Sequence, residues 1–115
     1  MKHSIGKTIP AATPTTLFTV PQGYVAELSL LFLSNHTTSA KTISVYWEHA
    51  HNTSHDIYIV NQKSLSSKDY LQFSDSSIIM QSGDSLKIDT ETGSNYTVIV
   101  TFDLRKEMPL YTFDD

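Results

Sequence analysis

The residues best suited to chemistry sit close together. Glu48, His49, His51, His55 and Asp56 place three imidazoles and two carboxylates in one short stretch. Such ligands suit zinc or another divalent ion, if the loop folds so that they converge. The spacing matches no established zinc pattern, and the chain has no cysteine to add a thiolate. The competing reading is a solvated loop between two strands with histidine as a neutral polar filler. That reading predicts no metal site and no cofactor. It leaves a pH-sensitive loop open, because unperturbed histidine titrates near pH ~6.5 and His49, His51 and His55 lie together. Hydrolytic chemistry would need a nucleophile, a base and an orienting group converging in a pocket. No G-x-S-x-G, no H-E-x-x-H and no glycine-rich phosphate loop is present. Asp56, Asp69, Asp75 and Asp84 fall in turn-like stretches, where aspartate commonly bonds local backbone. The expectation is that the chain is not an enzyme.

Aromatic residues form the second group. Trp47 falls in phase with Ile43 and Val45 and reads as core, whereas Tyr46 and Tyr58 fall on the opposite phase. With Tyr70 they are the candidate surface aromatics, able to stack on sugar rings or to enter a protein interface. The stretch after residue 104 contains Pro109 and ends in two aspartates, yet carries Leu110, Tyr111 and Phe113. That much apolar surface predicts docking, on an adjacent subunit or along the edge of the same domain. Three triplets, at Asn35, Asn52 and Asn95, fit the N-glycosylation pattern and are expected by chance in a chain rich in Asn, Ser and Thr.

The elements that must position these residues are strands. The most apolar run is YVAELSLLFLSN at 24–35. Ala26, Leu28, Leu30 and Phe32 alternate with Val25, Glu27, Ser29 and Leu31, a period of two that predicts one continuous buried face. From Leu30 onward both phases are apolar, which predicts cover on both sides. Further strands are expected at 15–20, 41–48, 56–60, 70–73, 77–80, 86–89 and 95–104, with turns at Gly23, Gly83 and Gly93 and polar links at 49–54 and 61–68. Leu65 is the residue of the second link expected at the core edge. No stretch has helical spacing with caps. Short strands recurring at roughly ten-residue intervals predict an all-β, jelly-roll-like antiparallel sandwich of about eight strands. The expected organisation is an extended amino-terminal arm at 1–14, a sandwich domain at 15–104 and a carboxy-terminal arm at 105–115.

Bulk properties narrow the function classes. At 115 residues the chain is one domain. Its net charge of −4 disfavours nucleic-acid phosphate as a partner, and no basic cluster offsets it. No apolar run approaches the roughly 20 residues of a membrane helix, so no membrane partner is expected. Residues 1–10 lack the apolar core of a signal peptide, which together with the absence of cysteine predicts synthesis and folding in a reducing cytosol.

Three motifs carry a family resemblance. Val20-Pro21-Gln22-Gly23 precedes the long apolar strand, Ser34-Asn35-His36-Thr37 follows it, and Ser82-Gly83-Asp84-Ser85-Leu86 opens a late hairpin. Over 15–104 this pattern resembles small β-sandwich virion proteins of tailed bacteriophages. The resemblance implies a non-enzymatic virion structural protein made in the host cytoplasm. It would decorate or cement the capsid and bind other virion proteins, and further copies of itself, through loops and terminal arms. A neck, tail or fibre-associated component is the alternative within that group. A carbohydrate-binding β-sandwich module is the alternative outside it. The motifs specify turns, so they bear on scaffold more than on role.

Overall fold

A computed structural model describes residues 2–9, 12–49 and 56–106. It contains eight strands: β1 (Lys2–Ile9), β2 (Thr15–Thr19), β3 (Tyr24–Asn35), β4 (Lys41–Glu48), β5 (Asp56–Leu65), β6 (Tyr70–Met80), β7 (Ser85–Thr90) and β8 (Tyr96–Lys106). Pairing is nested and antiparallel throughout. β1 pairs with β8, β2 with β7, β3 with β6, and β4 with β5. β8 also pairs with β3 and β7 with β4, which closes a first sheet of order β1-β8-β3-β6 and a second of order β2-β7-β4-β5. An eight-strand ribbon folded over in this order is a jelly-roll sandwich.

The core follows from alternation. β8 turns Tyr96, Val98, Val100 and Phe102 inward, and β7 answers from the other sheet with Leu86 and Ile88. β4 adds Ile43 and Val45, which are fully buried, and Trp47 packs against them at the margin. Phe18 of β2 stacks on Phe102 of β8 with ring centroids 4.2 Å apart, joining the sheets near the β1 and β2 side. The expected turn glycines carry the positive φ that a side chain would resist, with Gly83 at 85° and Gly23 at 84°.

The central strand departs from a simple alternation. Ala26 and Leu28 are buried, but beyond them the buried residues are Leu31, Leu33 and Asn35. Leu30 and Phe32, expected inside, belong to the outer phase. The reason is a β-bulge between Leu28 and Leu30, where Ser29 is the extra residue against β8 and its hydroxyl donates to the Thr101 carbonyl at 3.2 Å. One inserted residue exchanges the two faces of everything that follows.

Four boundaries also move. Residues 2–9 are extended as expected, but they do not stand apart as an arm. They pair residue by residue with β8, and Ile9 is buried. The two short strands expected at 70–73 and 77–80 are one strand, β6, whose register against β3 shifts at the same bulge. β5 continues through the expected polar link to Leu65, which is buried at the core edge. Gln62 (φ 50°) bends it there, its amide donating to the Ser44 hydroxyl at 2.8 Å. β8 runs to Lys106 and so includes the first residues of the expected carboxy-terminal arm, while 107–115 lie outside the described residues.

Candidate interaction surface

The cluster of potential ligands is divided where it is described. Glu48, in the outer phase of β4, meets Lys87 of β7 with Oε1 and Nζ 3.0 Å apart. His49 lies against the Trp47 ring at a centroid distance of 4.5 Å, with Nδ1 3.8 Å from Asp84 Oδ2. Successive strand positions point to opposite faces, which separates these two side chains. His51, His55 and the Asp56 side chain lie outside the described residues. Asp84 is a structural anchor. It is 1% exposed, and its Oδ2 accepts both the Trp47 indole N–H at 3.0 Å and the Gln81 amide at 2.9 Å.

The three candidate tyrosines do not share one surface. Tyr46 and Tyr58 meet across β4 and β5 on the outer face of the second sheet, ring centroids 5.4 Å apart and tilted by 49°. Tyr70 is on the first sheet, where its ring stacks on Phe32 at 5.4 Å and 20°. Leu110, Tyr111 and Phe113 lie outside the described residues.

Tyr70 leads to a surface that the residue pattern did not reveal. Across the outer face of the first sheet, Ile99 of β8 stands opposite Phe32 of β3, and Phe32 touches Tyr70 of β6. Leu30 is the next outer residue along β3. Ile99 is 44% exposed and Tyr70 58% exposed. On the β1 side, Ile99 faces Gly6, which offers no side chain to cover it. Around this apolar centre the contacts are polar. Ser4 and Thr101 hydroxyls lie 2.8 Å apart, His36 Nε2 lies 3.0 Å from the Thr97 hydroxyl, and Arg105 Nη2 lies 3.6 Å from Glu27 Oε1. An apolar centre inside a polar rim is the anatomy of a protein interface. Ile99 was legible as an outward residue, since it breaks the phase of Val98 and Val100. Phe32 was not, because the bulge reversed its phase.

A small apolar cleft opens at the bulge, lined by Leu28, Ser29, Leu30, Leu31, Ile59, Phe73 and Ile78, with a volume of about 50 Å³. Small-molecule sites are commonly of order 300–1,000 Å³. The cleft has room for one apolar side chain at most.

Fold and surface together define a jelly-roll sandwich whose first sheet has an apolar-centred outer face. No family model matches the sequence, and no curated protein matches it.

Proposed function

We propose that this chain is a non-enzymatic structural protein of a phage particle that decorates or cements the capsid by binding neighbouring subunits. The observation that carries the reading is the strip of Ile99, Phe32, Leu30 and Tyr70 on the outer face of the first sheet, flanked by hydroxyls and the Arg105–Glu27 ion pair. Exposed aromatic and aliphatic side chains in a patch mark an interaction site. The jelly-roll order supports the same reading, since viral capsid domains use it. Lectin domains use it too, so the fold alone does not select between them. The turn motifs at 20–23, 34–37 and 82–86 resemble those of phage virion proteins and point to the particle.

The test is to purify particles from cultures producing this chain and to measure its copy number against the major capsid protein. A fixed ratio that survives a density gradient supports the reading, and capsid contact by cross-linking distinguishes a decoration protein from a neck or tail component. A chain that stays in the soluble fraction refutes it. The carbohydrate-binding reading rests on the exposed Tyr46–Tyr58 pair. It predicts glycan-array binding that is lost in Tyr58→Ala.

A further inference from the structure

We propose that the apolar strip on the outer face of the first sheet is the docking site for residues 108–113 of a second copy of this chain. The proposal deepens the assembly reading by naming what covers that face. The segment reads Met-Pro-Leu-Tyr-Thr-Phe and is followed by Asp114 and Asp115. Its apolar side chains suit the centre at Phe32, Leu30 and Ile99. Its aspartates suit the rim near Tyr70, where Lys68 donates to the His36 carbonyl at 3.3 Å.

Reach selects the second copy over the same chain. β8 ends at Lys106, which stands opposite Tyr24 at the start of β3. Phe32 is eight positions further along β3, one of them absorbed by the bulge, so about 23 Å lies between them at ~3.3 Å per residue. Residues 107–115 contain no glycine, and their one turn signal is Pro109, suited to the second position of a turn over 108–111. A reversal there would bring Phe113 back only to the level of Lys106, well short of Phe32 and Ile99. Continued in the strand direction, the seven residues 107–113 would span up to about 24 Å, enough for Leu110, Tyr111 and Phe113 to lie across the face of a neighbour.

The chain has no cysteine, so introduced thiols report contacts without background. Full-length Ile99→Cys and Phe113→Cys proteins are mixed and mildly oxidised. The expected product is a disulfide-linked dimer joining position 99 of one copy to position 113 of the other. Tyr58→Cys, on the other sheet, mixed with Phe113→Cys sets the control yield. Adding Phe32→Ser to the Ile99→Cys protein is expected to reduce the yield to that control, with an unchanged circular dichroism spectrum showing that the variant still folds. Three results overturn the proposal. One is a mixed yield no higher than the control. Another is an intrachain bond only, when both cysteines are in one chain, which assigns the face to its own tail. The last is efficient coupling of Ile99→Cys to itself, which assigns the face to a sheet-to-sheet dimer. The assay uses isolated protein, so its failure is distinct from absence of the chain from particles.

Discussion

Asn35 is a buried polar residue with four side-chain hydrogen bonds. It is fully buried at the end of β3. Its amide donates to the carbonyls of Leu65 at 3.0 Å, Ser66 at 3.2 Å and Ser39 at 3.2 Å, while its Oδ1 accepts the Thr37 amide at 2.9 Å. One side chain therefore ties the loop after β3 to the end of β5. Asn35→Ala strands these groups, and a cost of about 2–4 kcal/mol is expected from denaturant unfolding. Tyr96 is equally enclosed, its phenol donating to the Lys41 carbonyl at 2.8 Å. Burial, reinforced by the negative charge of Glu91, pushes its pKa from 10.0 to about 12. The folded state holds this proton more tightly than the unfolded chain. Its contribution is therefore complete below pH ~10 and is lost as the pH rises toward about 12. Tyr96→Phe is expected to lower stability at neutral pH by about 1–2 kcal/mol and to flatten that alkaline decline in urea titrations. Glu91 acts at the other end of the scale. The Thr42 amide at 2.9 Å, opposed by desolvation and helped by Lys41 at 3.7 Å, holds its carboxyl below the usual range. Its contribution is present above the unfolded pKa and fades as pH falls through the lower folded value.

At the scale of the element, the bulge in β3 decides which residues are structural and which are available to a partner. Leu33 is fully buried and Phe32 is not. Leu33→Ala is expected to cost about 2–5 kcal/mol, the range for emptying a buried leucine site. Phe32→Ser is expected to cost less than half as much, because it leaves the inter-sheet core intact and removes chiefly the stack on Tyr70. Equal losses in parallel urea melts would place both residues in the core and contradict the phase change. The cleft lies at the same element. The register of β6 against β3 shifts between Leu28 and Leu30, and the pairs on either side of the shift, Leu28 with Ile78 and Leu31 with Phe73, line the cleft.

At the scale of the molecule, the nested pairing makes the first strand answer to the last. β1 covers one edge of β8 along eight paired positions, sets His3 on the Phe102 ring at 5.5 Å and buries Ile9. Deleting residues 1–11 is therefore expected to lower the denaturant midpoint substantially and to promote aggregation, because an unpaired β8 edge is a template for other strands. A truncated protein with an unchanged midpoint would return this segment to the status of an arm. The pairing of β1 with β8 also closes a loop of nearly the whole chain. Folding dominated by such non-local contacts is slow, on the order of milliseconds to seconds.

Much of this architecture was present in the residues themselves. Alternation in KTISVYWE and in YTVIVTF gave inward Ile43, Val45, Val98 and Val100, and the glycines at 23, 83 and 93 marked turns, because period and backbone permissiveness are local properties. The outward positions of Tyr46 and Tyr58 were legible for the same reason. What only the tertiary structure decided depends on distant partners. Pairing with β8 makes residues 2–9 a strand, although their own sequence is polar. The meeting of β3 with both β6 and β8 inserts Ser29 and sends Leu30 and Phe32 outward, where the alternation had placed them on the buried face. Asn35 stood in the sequence only as part of a turn motif and a chance glycosylation triplet, and its buried role depends on the ends of β3 and β5 converging on it. Local sequence sets the period of a strand. The number of residues that fit between its neighbours sets the face on which each side chain emerges.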